Sequence, residues 1–297
     1  MKNSYLRLHF VVFIWGFTAI LGDLISLEAI PLVWNRMGIA VAVLFLYVLI
    51  KKVNLKISIK NLGLFTLAGM VIAAHWITFF HAIKISNVSV TLACMGSGAF
   101  FTSLLEPLFL KKKFVPYELV LGLMVVIGIA TIFQVESQYK WGILTALTSA
   151  FLSALFSVIN GLAVRTNSPT VITTYELLGG WLAIFVFIIL NGSFTQEILP
   201  TQGNDIYYIL VLAIICTVYP FIESVRIMKD LSPFTVVLTI NLEPVYGIIM
   251  AYFLLGEKEK MTGGFYAGAL IILFTVFANA YIKKRGMPFL KHRIVKS

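Results

Sequence analysis

The chain has 297 residues, 60% of them hydrophobic and 12% charged, with a formal net charge of +10. Soluble domains carry about 25% charged residues, so this composition cannot cover a water-facing surface and excludes an ordinary soluble enzyme or scaffold. A nucleic-acid surface is excluded by where the charge falls. Lys and Arg sit in short segments between apolar runs and near the end, as at Lys283, Lys284 and Arg285, with no basic stripe interleaved with aromatics.

A membrane-spanning helix needs about 20 mostly apolar residues, and ten runs of that kind follow one another. The first, residues 5–25, follows Lys2 and Arg7 much as the core of a signal peptide would. It ends in Leu21-Gly22-Asp23 without a small-x-small cleavage site, so it is read as a retained membrane helix. Trp15 stands at its midpoint, either as a stacking wall or as a packing aromatic. The second run, 29–50, carries Arg36 two turns from its start, read as reaching the outer interface. The third, 62–83, holds His75, Trp76, Phe79 and His81. His75 and Phe79 share a face near the membrane centre, where His75 either bonds substrate or proton or ties to a neighbouring carbonyl. His81 is read as interfacial. The fourth run, 87–110, has Gly96-Ser97-Gly98 near its middle, and the fifth covers 117–135.

Five more runs cover 141–164, 170–190, 206–228, 233–255 and 263–282. Tyr175 and Glu176 lie in the seventh. Tyr219, Glu223 and Arg226 form one stripe in the eighth. That stripe either presents charges to a zwitterion or closes on itself as a Glu223–Arg226 pair with Arg226 snorkelling. Glu243-Pro244 falls near the middle of the ninth. Polar groups inside a membrane are costly and usually face a cavity or a partner. The candidate substrate-binding residues are therefore Trp15, His75, Trp76, Phe79, Tyr175, Glu176, Tyr219, Glu223 and Glu243. Gly96, Ser97, Gly98 and Pro244 form the candidate midplane hinge, since Gly or Pro breaks at matching places mark transporter sites. For Glu243 a structural role, bonding backbone freed by the break, stands beside substrate contact. Cys94 and Cys216 lie in apolar runs without ligand-spaced neighbours, so neither a disulfide nor a metal site is expected.

With the N-terminus placed in the cytoplasm, 18 Lys and Arg fall on the cytoplasmic side and 4 on the other. That asymmetry predicts both termini inside and a multi-pass protein of the inner (cytoplasmic) membrane. Ten helices in two five-helix halves insert the second half upside down, and a shift of 146 residues aligns Ser86 with Ser232, Val90 with Val236, Leu92 with Leu238 and Gly122 with Gly268 without a gap. The expected organisation is a first repeat over 1–138, an inverted second repeat over 139–284 and a basic cytoplasmic tail over 285–297.

From about Phe10 to Tyr281 the sequence resembles the EamA-type transporters of the drug/metabolite transporter superfamily. The resemblance is carried by Leu231-Ser232-Pro233, Leu242-Glu243-Pro244-Val245, Leu254-Leu255-Gly256-Glu257 and the Gly268 helix, with Trp15-Gly16, Pro31 and Arg36 in the first half. The first half departs from the motif, with Lys111 where the second has Glu257 and Gly98 where it has Pro244. The resemblance implies an all-α membrane protein of ten helices in two inverted five-helix repeats. It implies a secondary transporter that moves a small metabolite, an amino acid or similar amphipathic molecule, by alternating access and as an exporter. The implied partners are that small molecule, the lipid bilayer and a possible coupling ion or proton, with no cofactor. The alternative is a membrane-embedded enzyme acting on a lipid or small apolar substrate. Such an enzyme needs a clustered catalytic set, yet of His9, His75, His81 and His292 only His75 and His81 share a run, on different faces.

Overall fold

Where lipid replaces water, backbone amides and carbonyls must pair within their own segment, which makes helix the form available to each apolar run. The computed structural model, which describes residues 2–111, 113–192, 194–195 and 198–284, is all-helical over them. The first half comprises α1 (Lys2–Leu24), α2 (Ala29–Lys51), α3 (Ile59–Ile85), α4 (Val88–Met95), α5 (Gly98–Leu110) and α6 (Pro116–Val135). The second comprises α7 (Lys140–Ala163), α8 (Pro169–Leu190), α9 (Asp205–Ala213), α10 (Tyr219–Ile227), α11 (Pro233–Ile240), α12 (Glu243–Leu255) and α13 (Gly263–Lys284).

Three pairs are single spans in two pieces: α4 with α5, α11 with α12, and α9 with α10, the last pair joined by a π-helical segment, Ile214–Val218. Among the described residues nine helical spans are long and apolar enough to cross a membrane, and α13, apolar over Gly263–Thr275, supplies the tenth. The spans form the two inverted repeats expected from the sequence. The tail over 285–297 lies outside the described residues.

Small residues set the closest crossings. A Cβ on Gly128 of α6 would lie 2.8 Å from the Gly268 carbonyl of α13, and one on Gly268 would lie 2.6 Å from the Gly128 carbonyl. In lipid such packing takes the place of hydrophobic driving force. Gly122, the position that the sequence shift aligns with Gly268, packs against Phe100.

Each repeat also caps a broken helix of the other. Glu106 of α5 accepts a hydrogen bond from the Phe234 amide at the start of α11, at 2.8 Å. Glu259, 1% exposed, accepts from the amides of Val88 and Ser89 at the start of α4, at 3.1 and 2.8 Å. A carboxylate suits a helix N-terminus, where unpaired amides and the dipole are both positive. Glu257, the motif glutamate, is by contrast 86% exposed and, among the described residues, pairs with Lys260 at 3.5 Å. Glu259→Ala is therefore expected to lower stability by about 2 kcal/mol, the scale of lost charge-assisted hydrogen bonds. Glu257→Ala should change it by less than about 1 kcal/mol, as for an exposed ion pair. Thermal unfolding of the two purified variants in one detergent checks the contrast.

Candidate substrate cavity

A narrow cavity opens where α1, α2, α3, α7, α10 and the broken span α11–α12 meet. Aromatic rings and polar groups share its walls. Trp15, Trp76, Phe79, Phe156 and Phe221 supply its aromatic lining beside Met, Val and Ile side chains, and its polar groups include Thr18, Arg36, His75, Ser153, Ser157, Asn160, Ser224 and Glu243. Phe221 is edge-on to Trp76 at 5.9 Å, and Phe156 lies 5.4 Å from the His75 ring. The lining reaches from mid-bundle to Asn160, three residues from the end of α7, and to Met228 just beyond α10. Both positions belong to the face at which α1 begins.

The π-helical segment arms one wall. A π turn displaces the ladder by one residue and leaves groups turned from their usual partners. There the Thr217 hydroxyl donates to the Leu212 carbonyl at 2.7 Å and accepts from Arg36 Nε at 2.8 Å. The Cys216 carbonyl accepts from Trp15 Nε1 at 3.2 Å. Arg36 is 2% exposed, and its guanidinium lies 3.9 Å over the Trp76 ring. A cation over a desolvated indole gains about 2 kcal/mol, which offsets part of the cost of holding it there. Nη1 of Arg36 is buried without a hydrogen-bond partner, and Glu243 lies within electrostatic range of the guanidinium. Arg36 thus turns inward, and the sequence expectation that it reaches the outer interface is corrected.

His75 Nδ1 lies 2.9 Å from the Ser149 carbonyl and 2.8 Å from the Ser149 hydroxyl. Ser149 Oγ returns a bond to the His75 carbonyl at 2.9 Å. This double tie leaves Nε2 as the ring nitrogen available to the cavity.

Of the sequence-derived candidates, Trp15, His75, Trp76, Phe79 and Glu243 converge on this cavity. Four do not, and each has a physical reason. Tyr175 donates to the Leu55 carbonyl at 2.9 Å and faces a groove between α3 and α8. Glu176 is fully buried behind the wall. Tyr219 is 45% exposed, edge-on to Phe10 at 6.2 Å. Glu223 is held between Arg226 at 2.7 Å and Arg7 at 3.1 Å. In α10 the cavity takes Phe221, Ser224 and, just beyond, Met228, so the stripe of Tyr219, Glu223 and Arg226 belongs to a neighbouring face. Sequence reading also missed Asn160, Ser153, Ser157, Phe156 and Phe221. For Arg36 a signal existed, since the other Lys and Arg within the runs, Arg7 and Arg226, stand within three residues of a run's end while Arg36 stands two turns in.

Gly96-Ser97 separates α4 from α5, and Asn241-Leu242 separates α11 from α12. The two breaks bond to each other, Asn241 Nδ2 donating to the Gly96 carbonyl at 2.8 Å. Ser97 Oγ donates to the Cys94 carbonyl at 2.8 Å. Gly98 opens α5 and Pro244 is the second residue of α12, so neither interrupts a continuous helix. A proline there lacks an amide that the helix start leaves unpaired anyway. Pro244 lines a lateral pocket beside α13, away from the cavity.

Ten spans in inverted repeats around an internal cavity, lined by aromatic rings and polar groups, are the architecture of a membrane transporter. The chain belongs to the EamA-like transporter family, which matches residues 4–134 and 140–281. A solved structure described as "Crystal structure of protein" superposes with a TM-score of 0.72 at 16% identity, covering 95% of this chain and 98% of that chain. No curated protein matches.

Asn241→Ala is expected to cost about 1–3 kcal/mol, because it strands the buried Gly96 carbonyl. Pro244→Ala, at a helix start, should cost less than about 1 kcal/mol. Unfolding midpoints of the two variants check the order.

Proposed function

We propose that this chain is a secondary transporter of a zwitterionic, amphipathic metabolite, an amino acid or close relative, which it exports across the inner membrane by alternating access. One observation carries the reading: Arg36 and Glu243 stand in one cavity walled by Trp15, Trp76, Phe79, Phe156 and Phe221. The planar guanidinium suits a substrate carboxylate, the Glu243 carboxylate suits an ammonium, and the aromatic wall suits an apolar side chain. Apolar cargo alone would need neither charge.

Both termini lie in the cytoplasm in this reading, supported by the 18-to-4 distribution of Lys and Arg. The cavity lining that reaches Asn160 and Met228 then faces the cytoplasm, as loading for export requires. The repeats over 1–138 and 139–284 rock about the bonded breaks, and outward release follows when the opposite face opens.

Reconstituted protein should exchange labelled amino acids drawn from a panel. Arg36→Gln and Glu243→Gln should each lower the rate about 10- to 100-fold, the scale of one charge-assisted contact. Parental rates in both variants overturn the assignment. Reporter fusions at Ser297 should read as cytoplasmic and fusions within residues 193–204 as external. The reverse pattern contradicts the orientation.

A further inference from the structure

Behind the cavity wall lies a second ionisable group that the zwitterion reading does not use. Glu176 of α8 is 0% exposed, and neither carboxyl oxygen has a hydrogen-bond partner. Its polar neighbour is Asn160 of α7, which stands within reach of a side-chain hydrogen bond that the present geometry leaves open. The Asn160 side chain, 1% exposed, likewise makes no closed hydrogen bond at Oδ1 or Nδ2, and it lines the cavity. Two facing polar groups, both buried and with no partner but each other, are rare in a folded interior and call for a functional reason.

The surroundings keep Glu176 dry and without a countercharge. α3 lies hard against this turn of α8: a Cβ on Gly69 would sit 2.0 Å from the Glu176 carbonyl, and one on Gly180 would sit 2.5 Å from the Gly69 carbonyl. Met37 of α2 closes the same spot, its Cε 2.5 Å from that Gly180 position. Charged and titratable groups on the packed elements are engaged or distant. Arg36 of α2 is bound to Trp76 and Thr217, His75 of α3 to Ser149, and Glu223 of α10 to Arg7 and Arg226. Tyr219 of α10 is exposed; Tyr47 and Lys51 lie near the end of α2, Lys60, His81 and Lys84 toward the ends of α3, and Lys140 at the start of α7. Tyr175 on α8 is bonded to the Leu55 carbonyl. An ionised carboxylate in such a place has nothing to replace its hydration.

We propose that Glu176 and Asn160 form a proton-binding site coupled to the cavity, with Glu176 protonated while the wall is closed. An amide suits both states, since Oδ1 accepts from a carboxylic acid and Nδ2 donates to a carboxylate. When α7 moves and water enters behind Asn160, the carboxyl O–H bond breaks and the proton passes to that water. The carboxylate left behind is held by Nδ2. Asn160 reports the state of Glu176 to the cavity, so proton release and opening are one event. This goes beyond the zwitterion reading and rests on the transporter fold rather than on Arg36 or Glu243.

Infrared spectroscopy of the full-length protein, with no substrate present, tests it. A protonated-carboxyl band is expected at neutral pH, lost in Glu176→Gln, retained in Glu243→Gln and moved to higher wavenumber in Asn160→Ala. Raising the pH should remove the band over the same range in which the fluorescence of Trp15 and Trp76 changes, read in protein with Trp34, Trp141 and Trp181 replaced by Phe. Glu176→Gln should abolish that fluorescence change. Four results overturn the proposal: no band, a band indifferent to both Glu176→Gln and Asn160→Ala, a band lost in Glu243→Gln, or a fluorescence change that survives Glu176→Gln. None of these outcomes depends on which molecule is transported, so the proton site and the zwitterion site fail separately.

Discussion

A backbone that enters lipid must satisfy its own polar groups, and wherever it stops being helical another part of the chain has to supply the partner. Two spans of this protein break near their middles, and the two breaks answer each other through Asn241 Nδ2 and the Gly96 carbonyl. The amides left open at the starts of α4 and α11 are met by Glu259 and Glu106, each from the opposite repeat. The repeats are therefore joined by bonds that neither can make alone. Interruptions of this kind are tolerated where they line a cavity or are buried in protein, and here they border the space between the halves.

That space is chemically uneven. Trp and Phe rings stand beside Met, Val and Ile in its apolar wall, and several buried polar groups near it are spent on structure, as with His75 on Ser149 and Trp15 on the Cys216 carbonyl. The exceptions at the cavity and just behind it are Thr18 Oγ1, Nη1 of Arg36, the amide of Asn160 and the carboxyl of Glu176. A fold that leaves these groups without closed hydrogen bonds holds them at a cost in stability. Such costs concentrate at functional sites. The π-helical turn serves the same site, because it brings Thr217 to the Nε side of Arg36 and fixes the guanidinium with its other side uncommitted.

The spans were legible in the sequence because length and apolarity decide them almost alone. The breaks were legible too, at Gly96-Ser97 and beside Glu243, because glycine and proline punctuate backbone directly. What the sequence hid was the rotational phase of each helix. A stripe of Tyr219, Glu223 and Arg226 looks like a cavity face until the neighbours are known, and the adjacent face carrying Phe221 and Ser224 takes that place. Glu223 is drawn instead to Arg7, 216 positions away in the chain, a pairing no local pattern announces. Arg36 hid for a different reason. Its long side chain can reach either the interface or the core, and the indole of Trp76 on another helix decides the direction.

The central claim is that Arg36 and Glu243 together recognise the two ends of one zwitterion. The most direct measurement compares the stabilisation of the purified protein by phenylalanine, by phenethylamine, which lacks the carboxylate, and by phenylpropionate, which lacks the ammonium. The account predicts that the zwitterion raises the unfolding midpoint more than either truncated ligand, and that Arg36→Gln removes its advantage over phenethylamine. Equal stabilisation by all three ligands would contradict it.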